Sequence, residues 1–224
     1  MKFGILTTTA LLIAMGFASG VKAENVSQVK QLLETNNCSK CDLTGAQLSG
    51  MNLSGANLSG ANLSGANLNG ANLNGANLNE AKLNEVNLTQ AKLQGASLIG
   101  AKMHGANLEG ADLSRANLSL AGLVIASLKN TNLTSANLVG ANLESANLAG
   151  ANLKNARQSV ANLANVRLMG GSLSGIDVMG VNLRDANLTG ANLNGANLNG
   201  SDLTGANLKD ANMANVDLKN AALP

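Results

Sequence analysis

From Leu43 to Leu223 every fifth residue is leucine, with no insertion or deletion, and only Met103, Gln158, Val178 and Met213 interrupt the series. The phrase around each leucine is equally regular: A-N-L-S-G and A-N-L-N-G follow one another between Gly50 and Gly75. A period of five suits neither a helix of 3.6 residues per turn nor a strand alternating at 2. It suits a chain that turns by about a quarter at each phrase, so that four phrases close a square coil. Leucine then points inward from the middle of each side and the preceding alanine points inward near the corner. Asparagine faces outward, and glycine accommodates the bend. Coils stacked at the spacing of β-strands, about 4.8 Å, would number about nine and form a rod of roughly 43 Å. Each buried leucine supplies roughly 1.5–3 kcal/mol before entropy is counted.

The unbroken register argues for one continuous body in a chain of 224 residues. Its only aromatic residues are Phe3 and Phe17, both near the amino terminus. There, Met1-Lys2-Phe3 leads into the apolar run Ile5–Phe17, which is short for a membrane span, and Val21-Lys22-Ala23 follows. This reads as a signal peptide over residues 1–23, cleaved between Ala23 and Glu24; an uncleaved membrane anchor is the alternative. The formal charge of +2 then loses Lys2 and Lys22, leaving thirteen cationic against thirteen anionic side chains. A neutral balance gives no electrostatic reason to bind nucleic acid or an anionic membrane.

Residues 24–40 form a second segment. Val26, Val29, Leu32 and Leu33 share one helical face, and Asn25 with Gln28 resembles a capping box. The spacing predicts a helix over 25–36, laid across the end of the rod to cover its first coil. Cys38-Ser39-Lys40-Cys41 follows, and three readings compete. One is a structural disulfide stapling the cap to the first coil; another is a free or redox-active pair; the third is a metal site. Haem attachment would want a histidine where Asp42 stands, and zinc lacks further ligands.

Residues 41–224 are the repeat region. Its A-N-L-S-G and A-N-L-N-G units resemble the pentapeptide-repeat family. The resemblance implies an all-β fold, a right-handed quadrilateral β-helix, here with a short N-terminal capping α-helix. Members with a signal peptide and an N-terminal CxxC look like exported proteins of oxygenic photosynthetic bacteria, in the periplasm or thylakoid lumen. Relatives that protect DNA gyrase are cytosolic, acidic DNA mimics with phenylalanine at the central position. This chain departs from them on all three counts.

Residues twenty apart lie above one another, so the outer faces can be mapped. Asn57, Asn77, Asn117 and Asn137 fall in columns whose amides can bond along the rod. Arg157 one coil below Asp177 predicts a surface ion pair worth about 0–1 kcal/mol. Lys82 and Lys102 stack as like charges, and His104 points outward alone. Gln158 replaces an inward leucine, Val178 lies above it, and the Arg157–Val160 stretch breaks the phrase most heavily. A buried amide needs partners, so this coil is distorted or hydrated. Val166, Ile176 and Val181 replace alanine nearby. Outward positions at one corner carry Ile99, Leu120, Val139, Val160 and Met179, with Val124 and Ile125 round the next corner. That apolar column is the candidate interaction stripe; scattered surface aliphatics are the plain alternative.

No set of acids, nucleophile and base, or phosphate-cradling loop converges in the sequence. We therefore expect no enzyme, cofactor or metal. The leading expectation is an exported structural or protein-interaction solenoid with an unidentified protein partner. The alternatives are a topoisomerase-protecting DNA mimic, an ice- or polysaccharide-binding solenoid, and a thiol-redox protein. No nucleic acid or membrane partner is expected for the mature form. The last coil, from Asp217 to Pro224, has no helical segment after it, which suggests a carboxyl-terminal, end-to-end homodimer.

Overall fold

A computed structural model describes residues 23–158 and 161–224. The expected signal peptide lies outside the described residues but for its last, and Ser159 and Val160 lie outside them too. One helix, α1, spans Ala23–Thr35. Thereafter the chain winds in coils of twenty residues, joined by parallel bridges from Asn37↔Asn57 to Asp202↔Ala222. The repeat register therefore reaches back to Asn37, and Cys38 occupies a central, leucine-type position.

The regular phrases share one set of backbone bonds. On one side, Leu58 N–H donates to the Asn77 carbonyl at 2.7 Å and Asn77 N–H returns to the Ala56 carbonyl at 2.8 Å. At the corner, Gly60 N–H reaches the Asn79 carbonyl at 2.8 Å, and Ala61 N–H closes the bend on Leu58 at 3.1 Å. Every side is thus one bridge wide, and sequence sets which residue points where. Central side chains form four columns: side one contains Leu43 and Leu63, side two Leu48 and Leu68, side three Leu53 and Leu73, and side four Cys38 and Leu58. From Leu43 to Leu203 these columns and the alanines beside them are buried.

Among the described residues, the one closing each phrase adopts φ near +60°, the left-handed region. Glycine fills it most often, but Leu120 (φ 60°) and Ile125 (φ 53°) also occupy it. Outward asparagines do two jobs. Asn57 Oδ1 accepts the Ser59 N–H at 3.3 Å within its own bend, while Asn57 Nδ2 donates to Asn37 Oδ1 at 3.1 Å in the coil before. The expected amide ladder also joins Asn137 to Asn117 at 3.3 Å and Asn182 to Asn162 at 3.2 Å.

α1 lies over the first coil. Val29 and Leu32 are fully buried, with Leu33 packed against the core. Asn36, at φ 56°, turns the chain out of the helix, a conformation asparagine tolerates. The helix runs from Ala23, two residues earlier than the spacing predicted, so Asn25 lies inside it and not at its N-cap. Gln28 is used elsewhere: its Oε1 accepts the backbone N–H of Asp42, tying helix to coil. Gln31 Nε2 donates to the Asn37 carbonyl at 3.0 Å, a second tie.

Cys38 and Cys41 form a disulfide, and both are buried. Both belong to the first coil, at a leucine-type and an alanine-type position. The bond therefore braces a corner of that coil and does not staple the cap to it, as the sequence suggested. Among the described residues no cluster of three potential metal ligands occurs.

Candidate functional site

The outer surface is mostly Ser, Asn, Thr, Gly and charged residues, so the exposed large aliphatics stand out. Among the described residues they are Leu120, Ile125, Met169, Met179 and Leu223. Two of them, Leu120 at 68% and Met179 at 46% exposure, belong to the column at the corner between sides four and one. Ile99 and Val139 in that column are half-buried. Val160 lies outside the described residues. Met169 and Leu223 are elsewhere on the rod.

The column alternates between two adjacent tracks. Ile99, Val139 and Met179 occupy one and Leu120 the other, each neighbour being small: Gly100, Ser119, Gly140 and Gly180. Leu120 N–H donates to the Val139 carbonyl at 3.0 Å, which fixes their relative height. The Leu120 side chain lies over Gly140, where a Cβ would stand 2.9 Å from Leu120 Cδ2. Gly140, one coil above, thus leaves the room that the Leu120 side chain fills. Round the next corner, Val124 is half-buried and Ile125 54% exposed. Between Leu120 and Ile125 the outward position is Gly122, so this stretch of side one presents aliphatic edges and no polar centre.

Sequence reasoning found the column but not the backbone strain at Leu120 and Ile125. It also missed two buried hydroxyls at alanine-type positions. Thr131 Oγ1 donates to the Leu128 carbonyl at 2.7 Å, and Ser201 Oγ donates to the Val178 carbonyl at 2.6 Å. Their partners explain why the interior accepts them.

Electrostatically the surface is sparse. The Arg157–Asp177 ion pair expected from the twenty-residue offset is absent, although the two residues face each other across a bridge. Asp177 instead accepts from Asn197 Nδ2 at 3.4 Å. Among the described residues the ion pairs are Lys30–Glu34 at 3.8 Å and Arg184–Asp202 at 3.0 Å. Asp202 has its pKa lowered to about 2, first by the Thr204 hydroxyl, then by the Thr204 N–H, and then by Arg184. Lys82 and Lys102 stack as expected and are exposed, as is His104.

Gln158 is the anomaly of the interior. It is fully buried at a central position of side four, and neither amide atom has a protein partner. An unsatisfied buried amide costs about 1–3 kcal/mol.

Against known families, a profile described as pentapeptide repeats matches eight copies, over residues 41–79, 81–119, 126–157 and 182–220. The two gaps after the first match that exceed one residue cover Leu120–Ile125 and the region from Gln158 to Val181. The structure of HetL, a pentapeptide repeat protein involved in heterocyst differentiation regulation in the cyanobacterium Nostoc, is 31% identical. It aligns over 86% of this chain and 95% of its own, with a TM-score of 0.62. Rfr23 from the cyanobacterium Cyanothece is 40% identical over 42% of this chain and 64% of its own, with a TM-score of 0.41. A pentapeptide repeat protein of the Arabidopsis thaliana thylakoid lumen is 31% identical over 55% of this chain and 72% of its own, with a TM-score of 0.27. No curated protein matches the chain significantly.

Proposed function

Because the chain belongs to the pentapeptide-repeat family and is a right-handed quadrilateral β-helix, we propose that it is a non-enzymatic, exported interaction rod whose apolar corner column docks a protein partner. The observation that carries this is Leu120. A bulky side chain in left-handed backbone costs on the order of 1 kcal/mol, and this one is also left 68% exposed. Strain and exposure at the same residue support this reading, and Ile99, Val139 and Met179 extend the column along the rod. The part HetL takes in regulating differentiation supports a binding role over a catalytic one.

Export rests on the Ile5–Phe17 run with Ala23 behind it, and on a buried disulfide, which suits an oxidising compartment such as periplasm or thylakoid lumen. No helix among the described residues is long and apolar enough to cross a membrane. The neutral charge balance opposes a DNA mimic. The outward columns, broken by Lys, Arg and Ser, oppose a flat ice- or polysaccharide-binding face.

The column is tested by capturing partners from the native compartment with wild-type protein and with Leu120→Ser/Val139→Ser. A partner retained by the first and lost by the second supports the reading; identical capture by both rejects it. The reading also includes a second copy at the far end, where Leu208, Met213 and Leu218 are only partly buried and Leu223 is 55% exposed. Light scattering at rising concentration is expected to show a dimer that Leu218→Asp abolishes; a strict monomer excludes it.

A further inference from the structure

We infer that the rod is divided at Gln158 into two units that hinge and unfold separately. In a stack each coil touches only its neighbours, so cooperativity must pass through one interface at a time. The interface above Gln158 is lengthened on two adjacent sides. On side four, Asp177 N–H lies 3.4 Å from the Ala156 carbonyl, and Gln158 N–H lies 3.0 Å from that of Asp177. One coil lower the matching bonds, Arg157 to Ala136 and Leu138 to Arg157, are 2.9 and 2.6 Å. On side one, Asn182 N–H lies 3.4 Å from Ala161, against 2.9 Å for Asn162 to Ala141, while Leu163 N–H keeps the Asn182 carbonyl at 2.8 Å. Sides two and three stay closed across the same interface: Asn187 to Val166 is 2.8 Å and Asn192 to Gly171 is 2.9 Å.

The chemistry accounts for the geometry. Gln158 has no protein partner for its amide, and above it Val178 stands in place of a leucine. A buried amide either stays bare or draws water onto the axis, and both weaken the contact between coils. Two closed sides opposite two lengthened ones make a hinge whose axis runs along sides two and three. The pentapeptide-repeat matches stop at residue 157 and resume at 182, on either side of the same interface. This inference rests on the backbone ladder and stands whether or not the apolar column binds anything.

Native-state hydrogen exchange on the full chain tests it. The amides of Asp177 and Asn182 are expected to exchange at least about tenfold faster than those of Asn187 and Asn192, which lie across the same interface on the closed sides. Denaturant unfolding is expected to show two transitions. Gln158→Leu should slow the fast amides to the rate of their neighbours and merge the transitions; Gln158→Met, unbranched and closer in shape to glutamine, should do the same if leucine does not fit. Uniform exchange across the interface overturns the inference. So does a folded variant of either kind that leaves the fast amides and both transitions unchanged.

Discussion

Ile125 shows how the bend tolerates residues that dislike it. A β-branched side chain at φ 53° is strained, yet the backbone there makes the same bond as elsewhere, Ile125 N–H to the Glu144 carbonyl at 3.0 Å. Ile125→Gly is therefore expected to stabilise the protein by about 1 kcal/mol, seen as a higher denaturation midpoint. Gly140→Ala should do the reverse, by about 1–2 kcal/mol, since it adds left-handed strain and drives a Cβ into Leu120. Leu120→Ala should recover the steric part in the double variant. Asp202 offers a second check. Its carboxylate is held ionised in the folded state, so its contribution to stability is present above the ordinary carboxylate pKa of 3.8 and is lost as pH falls from there through about 2. Since the Thr204 hydroxyl is the larger cause, Thr204→Val should raise the Asp202 titration midpoint in NMR more than Arg184→Ala does. At this scale the sequence is least transparent. The leucine count says which residues point inward, but not that Leu120 needs Gly140 above it, because that pairing spans twenty residues.

α1 was legible as an amphipathic face and misread at its start. Gln28 looked like a capping residue because local spacing is all a sequence displays; its actual partner, the Asp42 N–H, comes from the coil the helix covers. The same limit hid the role of Cys38, which is the first central residue of side four and sits one phrase before the leucine series begins. With Leu32 fully buried between helix and first coil, Leu32→Ala is expected to cost about 2–5 kcal/mol. If α1 docks as described, the helical circular-dichroism signal of that variant should melt before the β signal. Simultaneous loss would mean that cap and rod form one cooperative unit.

At the scale of the molecule the square coil was legible in the period, because neither a helix nor a simple strand places every fifth side chain inside. The apolar column did not announce itself with equal force: its members are twenty or so residues apart and become neighbours only once the register is known. The Gln158 interface was legible as a broken phrase, while the sides on which its bonds lengthen were not, since those bonds join residues about twenty apart in sequence. Few charges contribute to the folded state, and both ion pairs among the described residues are largely exposed. Stability should therefore change little between low and high salt, with thermal midpoints nearly superimposed; a large downward shift would point to electrostatic support not accounted for by these two pairs.

A winding of four phrases per coil also restricts how such a gene can lengthen. Adding a single phrase would rotate everything beyond it by a quarter turn and move Met179 to a different flank from Leu120. Only duplication of an entire circuit keeps the two aligned, so descendants of this rod that keep their apolar column should differ from it in length by multiples of a full circuit.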